Sequence, residues 1–205
     1  MKYFQSLPLI STKDYNNNSI VVNNLLSRNY FLPQLIQNFS LFYEYEIKEG
    51  DTPENIAFRY YDDVYRYWIV LYSNNILDFQ SQWPLSSNEF ESYLNDKYKD
   101  VGGTNVIAYT LSTIHHYEKL IYTSDNTSSK EKLIKIQIDA ESYNTLQESD
   151  SSKTKSGVTY TMRIKKNAVS IYEYELELNE NKRKINLLKK EYASDAERQF
   201  QDLMG

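Results

Sequence analysis

The sequence of 205 residues contains no cysteine. This absence excludes disulfides, zinc–thiolate sites, iron–sulfur clusters and cysteine nucleophiles. Histidine is nearly as scarce, since His115 and His116 are the only two and are neighbours in the chain. Neighbours on a β-strand point to opposite faces, so the two imidazoles make a poor metal pair and we expect structural roles for both. The sequence therefore predicts no metal site.

Long hydrophobic runs are also missing. No stretch approaches the roughly 20 apolar residues that span a bilayer, and residues 1–9 lack the apolar core of a signal peptide. We therefore expect a soluble protein, made in a cytoplasm, that has no membrane partner. The net charge of −5 disfavours a nucleic-acid partner.

Motifs that carry catalysis are absent as well. The sequence has no Gly-rich phosphate loop, no nucleophile elbow and no paired His–Glu metal motif. We therefore predict no catalytic residues, no cofactor and no small-molecule substrate, and we do not expect an enzyme.

Tyrosine, by contrast, is abundant: 20 residues, beside eight Phe and two Trp. A tyrosine ring has a large apolar face and a polar tip, which suits surfaces that are wet before assembly and buried afterwards. The alternative is that a small core uses tyrosine as filler. We favour contact with partner proteins.

Residues 43–75 contain the clearest structural pattern. Apolar and charged side chains alternate over 43–48, as on a half-buried strand, and Glu49–Asp51 then predict a turn. Thr52 is a candidate N-cap and Pro53 a suitable first helical residue. A second helix is predicted over 64–72. The order is strand, turn, helix, helix.

This segment resembles the LysM module. The resemblance rests on a Gly-Asp-Thr turn after an aromatic-led strand, on an Ile-Ala pair in the first helix, and on an Asn before the return strand, here Tyr45–Thr52, Ile56–Ala57, Tyr60 and Asn74–Asp78. It implies a small βααβ core. LysM modules usually bind N-acetylglucosamine polymers, which makes a peptidoglycan- or chitin-binding module one functional hypothesis.

A longer series of motifs resembles the baseplate wedge clamp proteins of contractile-tailed bacteriophages. In chain order the motifs are Trp83–Ser86, Lys97–Tyr98, His116–Glu118, Tyr172–Glu175 and Asn179–Ile185. The resemblance implies a structural protein in the virion tail baseplate that joins neighbouring wedges around the hub. Its implied partners are other wedge and hub-proximal proteins, with multiple copies per particle, assembled in the host cytoplasm. The lack of a secretion signal and the single LysM-like unit favour the clamp over the saccharide-binding alternative.

The predicted fold class is α+β, in three segments: an N-terminal arm (1–42), a LysM-like core with its following helix (43–103), and a β-rich region with a terminal helix (104–205). We expect strands over 106–122, 133–138, 158–165 and 185–188, and solvated loops over 123–132 and 147–157. Residues 170–178 fit either a strand or a helix, with helix preferred. A last short helix is predicted over 195–204.

Seven residues are candidates for partner contact: Tyr65, Trp68, Trp83, Tyr172, Tyr174, Lys182 and Arg183. Trp68 lies on the apolar stripe of a predicted helix, so core packing is the stronger interpretation. Trp83 adjoins Pro84 in an expected bend, where burial and exposure are equally supported. For Lys182 and Arg183 a solvated turn is favoured over docking onto an acidic partner.

Overall fold

The computed structural model describes residues 3–25, 38–128 and 130–204. The chain forms two compact units, one made of Met1–Ser86 with Asn179–Gly205 and the other of Ser87–Leu178. Helices and strands occur in both, as the predicted α+β class requires. The predicted segments 1–42, 43–103 and 104–205 have other bounds than these units and stay a prediction.

The first unit contains short strands, helices and several 3₁₀ turns. Strands are β1 (Leu9–Lys13), β2 (Ser19–Asn23), β3 (Phe42–Glu46) and β8 (Lys184–Leu188); helices are α1 (Pro53–Tyr61), α2 (Tyr67–Ser73), α3 (Phe79–Gln82) and α8 (Lys190–Met204); 3₁₀ turns are Tyr3–Ser6, Phe39–Leu41, Val64–Arg66 and Asn181–Arg183. β1 pairs with β2, and β3 pairs antiparallel with β8.

The first helix begins as its sequence predicts. The Thr52 hydroxyl accepts a hydrogen bond from the Asn55 N–H at 3.3 Å, and Pro53 is the first helical residue. Asp62 ends the helix in the left-handed region, at φ 58°. The Asp63 carboxylate then accepts the N–H of Tyr65 at 2.9 Å and starts the next turn. These caps satisfy backbone groups that a helix end leaves without partners.

The strand that pairs with β3 is not the one expected. We expected a return strand directly after Asn74–Asn75, but β8 supplies it, and residues 76–78 form no strand. The expectation was wrong because strand pairing is a long-range contact, and the whole second unit lies between α2 and β8 in the chain. The likeness of the segment beginning at Tyr43 to a LysM module stays a prediction.

The core of the first unit is built from both ends of the chain. Tyr3 and Leu7, from the predicted arm, pack with α1, α2, β8 and α8. The buried members are Leu7, Phe42, Ile47, Ile56, Ala57, Tyr61, Trp68, Ile69, Val70, Ile76, Trp83, Ile185, Leu187, Leu188, Ala193 and Phe200. Residues 26–37 of the predicted arm lie outside the described residues.

The second unit is a four-stranded antiparallel sheet with helices. The strand order is β5-β4-β7-β6, with β4 at Ile114–Asp125, β5 at Lys132–Ile138, β6 at Ser149–Lys155 and β7 at Val158–Ser170. Its helices are α4 (Ser87–Tyr98), α5 (Val106–Ser112), α6 (Ala140–Thr145) and α7 (Ile171–Glu180), the last two residues of α7 being assigned to the first unit. The strands predicted over 133–138 and 158–165 and the helix preferred over 170–178 are confirmed.

Two predictions in this unit are wrong. Residues 106–112 form helix α5 instead of a strand, because the Asn105 side chain caps it by accepting the Ala108 N–H at 3.0 Å. Residues 149–155 form strand β6 instead of a loop. The reason is the two-residue turn Ser156–Gly157, whose positive φ values of 52° and 80° suit a tight hairpin onto β7.

The two histidines also differ from expectation. A bulge between Ile114 and His116 interrupts the alternation of β4, so the imidazoles of His115 and His116 do not point to opposite faces. Their Nδ1 atoms lie 2.9 Å apart. Among the described residues, no group of three or more His, Cys, Asp or Glu side chains is placed to hold a metal ion.

Candidate interaction surfaces

Both tryptophans proposed for partner contact lie in the core of the first unit. Trp68 is 1% exposed, and its ring lies 4.9 Å from that of Phe200 and 5.8 Å from that of Tyr72. Trp83 is 5% exposed, and its indole N–H donates to the Asp51 carbonyl at 3.0 Å. This burial favours the core-packing interpretation for each.

The basic pair is held within the first unit. Arg183 Nε donates to both carboxylate oxygens of Glu180 at 2.9 and 2.8 Å, and its Nη atoms reach the carbonyls of Ile47 and Leu85 at 3.4 Å. Lys182 Nζ donates to the Ser81 carbonyl at 2.8 Å. Arg183 therefore connects three chain segments, a structural role that neither sequence interpretation included.

The tyrosines among the candidates are partly exposed. Tyr172 packs edge-on against Phe90, with ring centroids 5.5 Å apart, and Tyr174 stacks on His115 at 3.9 Å. Tyr65 lies on the 3₁₀ turn of the first unit with about half of its surface exposed. Five candidates thus lie in the first unit and two in the second, and the structure does not gather them into one site. Their contact with a partner stays a prediction.

A buried carboxylate in the second unit was not among the candidates. Glu175 on α7 accepts hydrogen bonds from Lys97 Nζ at 2.7 Å, from the Tyr98 hydroxyl at 2.7 Å and from the Tyr93 hydroxyl at 3.1 Å. Burial alone would raise the pKa of Glu175, but the hydrogen bonds and the charge of Lys97 lower it below its ordinary value. Burial and the bond to Glu175 raise the pKa of Tyr98 to about 12. These hydrogen bonds to Glu175 connect α4 to α7.

One face of the four-stranded sheet carries apolar side chains that stay open to solvent. Directly paired residues of antiparallel strands share a face, and Ile121 pairs with Ile134 on one side and Ile164 on the other. Lys119 pairs with Ile136, Thr123 with Met162, and Asp125 with Tyr160, so these residues lie on the same face. We call this the apolar sheet face: Ile121, Ile134, Ile136, Tyr160, Met162 and Ile164. Four of the six are at least 40% exposed.

Lysines surround the apolar sheet face. Strand register places five on this side of the sheet: Lys119, Lys132, Lys153, Lys155 and Lys166. None of the five forms an ion pair with a described residue, although Lys166 lies over the ring of Tyr143. The only carboxylate at a paired position of this face is Asp125, whose oxygen accepts hydrogen bonds from its own loop at Thr127 and Ser128. The face is therefore basic as well as apolar.

The opposite face of the sheet differs in its electrostatics. There each of three cations has an acidic partner: Lys135 pairs with Glu177, Arg163 with Glu131, and Lys165 with Glu148. The contrast makes the unpaired lysines a property of one face and not of the whole sheet.

The sheet also has a depression of about 440 Å³ near the end of β4. The residues that line it include Lys132, Lys153, Tyr160 and Met162.

Comparison with known proteins identifies the family. No curated protein matches the sequence. In the structure, none of the helices in the described part of the chain has the length and apolar character needed to cross a bilayer. A family model described as "Base plate wedge protein 53" matches residues 2–204. The match assigns the chain to the structural proteins of the bacteriophage tail baseplate. Within that class, the chain belongs to the base plate wedge protein 53 family, and its location is the tail of the virion.

Proposed function

We propose that the chain clamps neighbouring wedge subunits together around the baseplate hub, through contacts made in part by the apolar sheet face. The observation that supports this role is the solvent-open set of isoleucines on β5 with Met162 and Tyr160 on β7. A contiguous apolar patch on a folded protein usually marks a surface that a partner covers. The partners are other wedge and hub-proximal proteins, each particle holding several copies of the chain.

The chemistry of this face specifies its partner. Apolar side chains form the centre and unpaired lysines the rim, so the complementary surface has an apolar centre and an acidic rim. Completing the burial of one half-exposed isoleucine contributes about 1 kcal/mol, and several such contacts act together once the first has formed. A second copy of the same face would bring lysines against lysines, which disfavours self-association here.

The test uses two residues of one strand. Ile134, on the apolar sheet face, is 40% exposed, and Leu133, on the opposite face, is 43% exposed. Replacing either by Thr keeps β-propensity and removes a similar apolar area, so both variants should fold with nearly unchanged stability. We expect Ile134→Thr, and more strongly the double variant with Ile136→Thr, to reduce incorporation into baseplates at least tenfold in a complementation assay. Leu133→Thr should incorporate normally.

Equal incorporation of Ile134→Thr and Leu133→Thr would contradict the proposal, because the two side chains are similar in size and exposure but lie on opposite faces of the sheet. Thermal melts of the purified variants separate this outcome from misfolding. A requirement for Leu133 alone would move the contact to the opposite face.

We also propose that the protein is not an enzyme. Membership of a structural baseplate family supports this proposal. The absence of nucleic-acid, membrane and small-molecule partners is likewise our proposal. Saccharide binding by the LysM-like segment is the alternative, and no contact among the described residues specifically favours it.

A further inference from the structure

Among the described residues, strand β3 of the first unit has a partner strand on only one of its two edges. The Ile47 N–H donates to the Arg183 carbonyl at 2.8 Å, and the Lys189 N–H donates to the Leu41 carbonyl at 2.9 Å. Backbone groups of odd-numbered residues along this strand therefore point towards β8, as the alternation of an antiparallel ladder requires. Glu44 is even-numbered, so its N–H and carbonyl point the other way.

The partner strand confirms this alternation. Asn186, which lies opposite Glu44, directs its N–H to Asn74 Oδ1 at 2.7 Å, and its carbonyl accepts from Asn74 Nδ2 at 2.9 Å. The outer edge of β8 is thus closed at this position by the amide side chain of Asn74. No described residue forms the equivalent bonds to the backbone of Glu44. Within the described ranges, the outer edge of β8 is therefore closed at Asn186, and the outer edge of β3 is open at Glu44.

An open edge with unpaired N–H and carbonyl groups is a template for another strand. The side chains beside it differ on the two faces of β3. Glu44 and Glu46 are exposed on one face, and on the other Tyr43 is 56% exposed and stacks on Tyr60 with ring centroids 6.2 Å apart. A strand added here would have carboxylates along one face and an aromatic surface along the other.

We propose that β3 binds an extended segment of another baseplate wedge protein as an added strand, in which Lys or Arg alternates with apolar residues. Basic side chains would pair with Glu44 and Glu46, and apolar side chains would cover Tyr43. A second copy of β3 fits poorly, because antiparallel pairing centred on Glu44 sets one Glu44 carboxylate opposite the other. This surface is separate from the apolar sheet face, and the inference goes beyond the clamp role.

The variant that tests strand addition most directly is Glu44→Pro. Proline removes the outward-pointing backbone N–H at the middle of β3 and leaves the ladder bonds of Tyr43 and Tyr45 to β8 intact, and edge strands tolerate proline at such positions. The preceding residue, Tyr43, is already extended, as a residue before proline must be. Glu44→Ala is the matched control, because it loses the same carboxylate but keeps the N–H.

Two measurements test the proposal. Hydrogen exchange should be fast at the amides of Glu44 and Glu46 in the isolated chain and at least tenfold slower in purified wedge assemblies. In a complementation assay, Glu44→Pro should enter baseplates at least tenfold less well than Glu44→Ala, while both melt at similar temperatures.

Exchange at Glu44 that stays fast in the assembled wedge would overturn the proposal, as would equal incorporation of the Pro and Ala variants. If Glu44→Pro fails to fold, exchange in the unmodified chain still decides the question. A dimer in sedimentation experiments that Glu44→Pro abolishes would assign the edge to a second copy and refute a heterologous strand. Failure of the clamp role would instead appear in the Ile134→Thr variant, which leaves β3 untouched.

Discussion

Replacing Trp68 by Ala tests whether this side chain holds the core of the first unit together. Its ring contacts the aromatic rings of Tyr3, Tyr72 and Phe200. These three residues come from the first 3₁₀ turn, from α2 itself and from α8. The substitution would therefore leave a cavity where both ends of the chain meet α2.

The magnitude follows from the burial of the side chain. A large aromatic residue buries about 150–250 Å², which at about 25 cal/mol per Å² gives an upper bound of about 4–6 kcal/mol. Large-to-small substitutions of buried Phe and Trp cost about 3–5 kcal/mol. Folded domains have only about 5–15 kcal/mol of stability, so this loss is a large part of the free energy of unfolding. For a chain of this size it corresponds to a fall in melting temperature of roughly 6–20 °C.

The assay is thermal and urea unfolding of the purified variant, beside Tyr65→Ala as control. Tyr65 lies three residues earlier with half of its surface exposed, so its truncation should cost about 1 kcal/mol or less. A Trp68→Ala protein that melts at the unmodified temperature would refute core packing. A variant that folds normally yet fails to enter particles would indicate that Trp68 contacts a partner protein.

Two further substitutions test the polar connections within the units. Glu175→Gln should lower the free energy of unfolding by about 1–3 kcal/mol at neutral pH. Because the folded-state pKa of Glu175 lies below its ordinary value, its contribution is present above about pH 4.5 and is lost as the pH falls through the folded pKa. Urea melts between pH 6 and pH 3 should therefore show a smaller acid loss in the variant than in the unmodified chain, and equal losses would contradict the argument. Arg183→Gln should cost about 1–3 kcal/mol in the isolated chain, against about 1 kcal/mol or less for Lys182→Gln, and an unchanged melt for Arg183→Gln would favour a role in docking instead.

Local structure could be predicted where the determining chemistry lies within a few residues. Thr52 and Pro53 start α1 because a hydroxyl acceptor and a residue without an N–H both suit the first helical turn. Alternating side chains likewise predicted β5 and β7. Strand β6 escaped prediction because its residues, Ser149–Lys155, are exposed throughout and show no apolar alternation. Its one local signal was the Ser156–Gly157 turn.

Long-range pairing could not be predicted from the same patterns. Nothing in residues 43–75 indicates that the partner of β3 lies beyond residue 180, since a strand shows its apolar period but not its neighbour. Arg183 illustrates the consequence for the candidate site. In the sequence it belongs to a short basic run. In the fold its guanidinium bonds to the Glu180 carboxylate and to the backbone carbonyls of Ile47 and Leu85, a role visible only after β8 is placed beside β3.

The location of the proposed interaction surface depends on the same strand pairing. Tyrosine content predicted contact with partners, yet Tyr61 is buried and its hydroxyl donates to the Leu188 carbonyl at 2.7 Å. Aliphatic residues of β5, which the sequence analysis treated only as strand formers, are instead open to solvent. Leu133 and Ile134 alternate like any half-buried strand, so the sequence cannot say which of the two lies on the face without acidic partners. The strand register answers that question. Ile121 pairs with Ile134 and with Ile164, so isoleucines from three strands lie together on the face whose lysines form no ion pair with a described residue. The proposed contact surface is therefore a product of strand register. A one-residue slip of β5 against β4 would replace its apolar residues by those of the opposite face, which include Lys135 and Leu133.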